Sequence, residues 1–171
     1  DFTPATGTIG EAGQIGATTG GVNFTATPSF SDFGEDIDNC PKNMKELKRL
    51  DSWEVKMTGT FVNADTKIAK SLCGAADVGT SDGKVTPRNN LSDADFANIW
   101  LVGDYSDKNG EKNGGFIAIH MMNALSTGGF QLKTSDKAKG QFAFEYTAHY
   151  SMSAQDTVPF EIYIKAGTAE A

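Results

Sequence analysis

Cysteine, histidine and tryptophan are scarce, with two of each in 171 residues. Two cysteines, Cys40 and Cys73, make no disulfide framework in a chain of this size, and a reducing cytosol is the default reading. Cys73 falls among apolar neighbours and is expected to be a small buried hydrophobe. The histidines offer little to catalysis: His149 falls on the polar side of an alternating run and His120 sits beside Met121 and Met122. A zinc site needs closely spaced ligands, whereas Cys40, Cys73, His120 and His149 are scattered singly. The G-x-S-x-G frame at Gly79–Gly83 falls on the turn Ser81-Asp82-Gly83 of a polar loop, and no glycine pair leads from a strand into a helix carrying Lys-Ser/Thr, so neither a nucleophile elbow nor a phosphate cradle is expected. The acidic stretch from Asp104 to Glu111 fails the calcium-loop pattern. With Gly110 as the loop glycine, the first ligand position would be Tyr105 rather than an acid. The glycosylation triplets at Asn23 and Asn90 would matter only in a secreted eukaryotic protein. Long apolar runs are also missing, and nothing resembles a signal peptide, so neither a membrane span nor an enzyme is expected. Cations are in deficit. The net charge of -7 argues against a protein that grips nucleic acid, because such binding needs Lys and Arg to displace counterions.

The remaining composition is that of a folded chain, 39% hydrophobic and 22% charged, and its length suits one domain with a real core. The 19 glycines sit mostly at turn-like places, as in an antiparallel β protein with many reversals.

The most informative stretch is Asp51 to Gly74, DSWEVKMTGTFVNADTKIAKSLCG. Trp53, Val55, Met57 and Phe61 alternate with Ser52, Glu54, Lys56, Thr58 and Thr60, the pattern of a strand with one buried and one wet face. The period then changes. Ala64, Ile68, Ala69, Leu72 and Cys73 recur at helical spacing, predicting a short helix over 64–74 that packs Ile68, Leu72 and Cys73 against a sheet. Asn63 stands as its expected N-cap, Asp65 complements the helix start, and Gly74 can end it in the left-handed conformation.

Taken in order, residues 1–20 are rich in Gly, Thr and Ala and form an arm, either flexible or a strand that orders against a neighbour, ahead of a domain over 21–167, with a short tail over 168–171. Val22, Phe24 and Ala26 alternate with polar partners in a strand that Pro28 either closes or places at an edge. Residues 31–50 then read as a long bipolar loop: Asp32, Glu35, Asp36 and Asp38 precede Lys42, Lys45, Lys48 and Arg49. A loop this long inside a compact domain is either functional or a solvated excursion with a helical turn near Asn43–Leu47. Ala75–Asn90 reads as a polar loop with a turn at Ser81-Asp82-Gly83. Phe96–Tyr105 is apolar on both faces, as in a central strand, and returns through a hairpin loop with Asn-Gly pairs at 109–110 and 113–114 into Phe116–Met122. Gly128-Gly129 interrupts the chain after this strand, so Phe130–Lys133 is a continuation past a bulge or a new strand. In Gln141–Ser151, Phe142, Phe144, Tyr146, Ala148 and Tyr150 are expected inward and Gln141, Glu145, Thr147, His149 and Ser151 outward. A last strand begins after Pro159, with Phe160, Ile162 and Ile164 alternating with Glu161, Tyr163 and Lys165. Roughly six to eight strands with one short helix make a mainly β fold, two packed antiparallel sheets as a sandwich or barrel flanked by a helix.

This order of elements resembles the tail tube (major tail) proteins of long-tailed, non-contractile bacteriophages. It is carried by WEVKMTGTF, the helix ADTKIAKSLCGA, ANIWLVGDY, GGFIAIHMM and GQFAFEYTAHYSM. The phrases NCPKNMKELKRLDSWEV and YSMSAQDTVPFEIYI are similar to prophage members from Gram-positive hosts, and the resemblance spans about Gly20 to Gly167. It implies a structural protein, without cofactor or enzymatic activity, that assembles with itself into hexameric rings. The rings stack into a hollow tube in the virion tail, built in the host cytoplasm, through which DNA passes without specific binding. Its partners would be a tape-measure protein, a tail terminator and baseplate or distal tail proteins. Asp32, Glu35, Asp36, Asp38, Lys42, Lys45, Lys48 and Arg49 would then make inter-ring contacts, and the arm and tail would order between subunits. Glu54, Lys56, Thr58 and Thr60, or Glu145, Thr147 and His149, would line the lumen, with Lys56 an awkward cation beside passing phosphates. A tube subunit of a related injection apparatus and a carbohydrate-binding β-sandwich are the alternatives.

Overall fold

The computed structural model describes residues 2–10, 15–104 and 115–167. In chain order the strands are β1 (Phe2–Thr3), β2 (Thr8–Ile9), β3 (Thr18–Asp32), β4 (Lys48–Phe61), β5 (Ala76–Val78), β6 (Val85–Pro87), β7 (Ala97–Asp104), β8 (Phe116–Ser126), β9 (Gln131–Lys133), β10 (Gln141–Thr147) and β11 (Phe160–Lys165). The helix α1 (Thr66–Leu72) comes directly after β4.

All strand pairings among the described residues are antiparallel; β1–β2 and β5–β6 stand as two-stranded sheets, and the other strands form two layers. In one layer β4 lies between β3 and β10, with β9 along the far edge of β10. In the other, β8 lies between β7 and β11. The layers join where the end of β8 crosses to β10, pairing Ser126 with Tyr146 and Leu125 with Thr147.

The alternation of β4 is what builds the core. Val55, Met57 and Phe61 are buried from this strand, Ile68 and Leu72 from α1, Met121 and Ala124 from β8, and Phe144 and Tyr146 from β10. Each large aliphatic side chain buried this way contributes about 1.5–3 kcal/mol relative to exposure. Gly59 falls on the same inward face, where a Cβ would stand 2.6 Å from Phe144. Its missing side chain lets the Phe144 ring stack on Phe61 at 4.4 Å. Helix α1 is bolted over this core by two side-chain bonds: Ser71 with the Tyr146 hydroxyl at 2.8 Å, and the Ser126 hydroxyl to the Leu72 carbonyl at 3.0 Å.

A second cluster covers the outer face of the β7–β8–β11 layer. Phe2 lies on Phe116 and Ala118, with Trp100, Val102 and Tyr163 packed around them. This explains why β7 is apolar on both faces although it pairs with β8 alone among the described residues. The second apolar face is covered by the arm rather than by a central position in the sheet.

Several sequence expectations change. The helix is shorter than 64–74, and its N-cap is Asp65, whose carboxylate accepts from the Ile68 N–H at 2.8 Å. Asn63 instead accepts the Ala17 N–H at 2.9 Å and holds the arm where it enters β3. Gly74 ends the helix with φ +76° as expected, but Cys73 is its C-cap and only half-buried. Within the arm β1 and β2 pair with each other, and β3 starts at Thr18. Pro28 does not close β3, which is the outer strand of its layer. The Trp53 N–H opposite Pro28 bonds to the Tyr150 hydroxyl, so the proline nitrogen faces the open edge and costs no ladder bond. Residues 75–90 hold the β5–β6 hairpin around the expected turn, where Gly83 has φ +65°. Gly129, at φ +71°, separates β8 from a new strand, β9, on the same edge of β10. The alternating run ends at Thr147, and Tyr150 is exposed rather than inward. The Asn-Gly hairpin loop over 106–115 (Gly115 apart), the acidic stretch 105–111 and the tail 168–171 lie outside the described residues.

Candidate functional site

The stretch expected as a loop over 31–50 is the end of a long β-hairpin. Ser31 pairs with Arg49 and Asp32 with Lys48, so only residues 33–47 connect the strands. A 3-10 turn at Lys45–Leu47 stands inside the region where a helical turn was expected. The ladder of β10 on β4 stops at Lys56, and beyond it Ala148 and Tyr150 still bond to Val55 and Trp53. From Ser52 and Ser29 outward, β3 and β4 pair only with each other, as a two-stranded ribbon leaving the sandwich.

This ribbon orders its own charges. The Asp32 carboxylate accepts the Gly34 and Asn43 N–H groups, each at 2.9 Å, and these bonds hold it below the usual carboxylate range. Lys42 lies 3.5 Å from Glu35, Lys45 lies 3.4 Å from Glu46, and Arg49 lies 3.9 Å from Asp51. Lys48 donates to Asn43 at 3.1 Å and covers the Phe30 ring at 5.5 Å. Of the expected contact residues, Glu35 meets Lys42 and Asp32 stands opposite Lys48 within one chain, whereas Lys45 and Arg49 pair with Glu46 and Asp51 instead. Exposed pairs of this kind are worth less than about 1 kcal/mol and exchange partners cheaply. Sequence reasoning missed the apolar content of the ribbon. Phe30, Phe33 and Ile37 are 52%, 59% and 51% exposed, and Met44 and Leu50 are exposed as well. Their spacing could have been read from the sequence, but only the fold reveals that so much of each stays exposed.

The second surface is the wet face of the β3–β4–β10 layer. The registers Asn23–Thr58–Glu145 and Thr25–Lys56–Thr147 run straight across three strands, and Thr27–Glu54 continues them on two. Glu54, Lys56, Thr58, Thr60, Glu145 and Thr147 therefore share one face, although the sequence left them as two separate alternatives. The Thr127 hydroxyl bonds to Thr147 at 2.8 Å and donates to Glu145 at 3.0 Å, adding to a surface rich in hydroxyls. Lys56 is held 2.5 Å from Glu54. That bond, with the nearby charge of Glu145, raises the ammonium above its usual value. Its cation is thus offset by an acidic neighbour.

His149 does not belong to this face. β10 has ended, and the His149 ring meets the Asn123 carbonyl at 3.1 Å and the edge of Phe96 at 5.5 Å, beside β8. His120 is placed elsewhere again, stacked on Trp100 at 4.2 Å with Glu161 at 3.4 Å from Nδ1. The Tyr163 hydroxyl donates to Glu161 at 2.6 Å, which lowers that carboxyl and raises the phenol.

Among the described residues no three His, Cys, Asp or Glu side chains converge as a metal centre would require. No described helix is long and apolar enough to cross a membrane. No protein-family model and no curated protein matches the chain.

Proposed function

We propose that the chain is a structural subunit that assembles with itself into stacked hexameric rings, forming the tube of a phage tail through which DNA leaves. The observation that carries this reading is the β3–β4 ribbon. It leaves more than half of Phe30, Phe33 and Ile37 exposed beside charges of both signs. Exposed apolar surface rimmed by polar groups marks a protein contact. A protruding ribbon meeting a different surface on the next copy gives a head-to-tail contact that repeats into an open filament.

The hydroxyl-rich face supports the conduit half of the reading. Its central rows carry Glu54 and Glu145 against Lys56, and the pairing of Lys56 with Glu54 keeps that cation from holding a passing phosphate chain. Rings stacked in the virion tail would meet a tape-measure protein inside and terminator and distal tail proteins at the ends.

Negative-stain electron microscopy over a protein concentration series tests the proposal, using the intact chain and one lacking residues 31–49. Hollow tubes from the intact chain, with rings or monomers from the deletion, are expected. A compact monomer from both, even with a tape-measure protein present as initiator, would overturn it.

A further inference from the structure

β7 pairs with β8 alone among the described residues, so no strand ladder joins the two layers along its other side. A cavity of about 340 Å³ lies along that seam. One wall is formed by residues 98–102 of β7. The other is the inward face of the opposite layer, with Val22, Met57, Phe61 and Phe144. Met57, Phe61 and Phe144 are each no more than 6% exposed, so the floor of this cavity is the core itself.

A second cavity, about 320 Å³, adjoins the first and shares Ile15, Asn98, Ile99 and Tyr146 with it as walls. Its character is different. α1 contributes Lys67 and Ser71, β8 contributes Ser126, and the 3-10 turn Asp93–Asp95 contributes the enclosed Asp95 carboxylate. Tyr146, 2% exposed, borders both cavities, and its hydroxyl meets Ser71 at 2.8 Å. The charges at this end are already matched. Asp95 meets Arg88 at 2.6 Å, and the Asp65 carboxylate caps α1 at the Ile68 N–H, close in sequence to the opposite charge of Lys67. Ser71, Tyr146 and Asn98 remain to meet a ligand through hydroxyl and amide groups. The Asn98 amide oxygen accepts the Asn123 N–H at 3.1 Å, which leaves its NH2 as a donor.

Apolar walls with a few convergent polar groups, in a volume above about 300 Å³, are the make-up of a small-molecule site. We propose that the two adjoining cavities form one binding site for an uncharged amphiphile. Its alkyl chain lies between β7 and the β3–β4–β10 layer, and its hydroxyl head lies among Ser71, Tyr146 and Asn98. A charged head would have to shed its water beside charges that are already paired, whereas a hydroxyl exchanges water for these side chains at little cost. The inference needs no assembly of the chain, so it stands or falls apart from the tube reading.

The test titrates straight-chain alcohols from butanol to octanol into the full-length chain, followed by calorimetry and by methyl NMR. Saturable binding of one molecule per chain is expected, with shifts at Val22, Ile99 and Leu101. Affinity should tighten roughly fourfold per added methylene. Octanoate and octylammonium should each bind at least about tenfold more weakly than octanol. Thr18→Trp fills the apolar cavity from an exposed position in β3, and Ala97→Phe fills the polar one from an exposed position in β7, so neither inserts a group from within the core. Both variants should keep the thermal unfolding transition and lose octanol binding by at least about tenfold. Octanol that fails to bind, partitions without saturating, or binds folded Thr18→Trp as well as the parent chain overturns the proposal. A charged probe that matches octanol overturns it too.

Discussion

Asp95 shows how single residues hold the excursion between α1 and β7 together. Its carboxylate, almost fully enclosed, accepts the Ser92 N–H at 2.8 Å and the Ser92 hydroxyl at 3.1 Å, and meets Arg88 at 2.6 Å. Arg88 also donates to the Asn90 carbonyl at 3.1 Å; its Nε is 3.1 Å from Asp77 but misaligned for a hydrogen bond. The Ser92 backbone bond leads in lowering Asp95 below the ordinary value of 3.8, and Asp32 is lowered in the same way by Gly34 and Asn43. A carboxyl depressed in the fold contributes stability above its unfolded pKa and loses it as pH falls through the folded value. Urea unfolding between neutral pH and strong acid should therefore show stability declining below about pH 4. Asp95→Asn should be less stable at neutral pH, with a flatter acid limb. In the core, Leu72→Ala should cost about 2–5 kcal/mol by cavity formation. Gly59→Ala should cost about 1–3 kcal/mol, because the new Cβ displaces Phe144 from its stack. Both are measured by the same denaturation midpoints.

At the scale of elements, β4 with α1 was the most legible part of the chain. Its inward and outward sets were readable because a strand's period separates them and the core needs only one of them. The cap was misplaced by two residues, from Asn63 to Asp65, since both side chains can cap and only the approach of the arm decides which is free to do so. The loop expected over 31–50 is the shorter connection 33–47, because its polar, charged ends lack the alternation that burial imposes on a strand. Connecting residues 33–47 include no large buried side chain. Replacing them with a short Asn-Gly turn should change unfolding free energy by no more than about 1 kcal/mol. Tube formation in the microscope should nevertheless be lost, and unfolding and assembly measured on the same preparation separate the two roles.

For the whole molecule, the exposed apolar side chains of the described residues include those of the ribbon and, at the end of the β8–β11 layer, Ile162 and Ile164, which are 51% and 64% exposed. Different patches on one molecule suit a contact that repeats in one direction. Because the ribbon pairs its charges weakly, assembly through it should depend on ionic strength, with screening acting over about 10 Å at 0.1 M salt. Light scattering across a salt series should show the onset of assembly shifting, and reversing Lys42 and Lys45 to Glu should abolish that shift. An unchanged onset in both would move the contact onto the isoleucine face.

The sequence by itself determined the fold class, the strand-to-helix unit, the Gly74 stop and the side of β4 that meets the core. Those arise from local periods and backbone limits that neighbours in the chain already impose. Only the tertiary structure decided that Thr58, Lys56, Glu145 and Thr147 form one face, that His149 leaves it, and that Phe2 fills a distant aromatic socket. Each of these depends on register between strands far apart in the chain, and register is set by packing across layers, which no local pattern records.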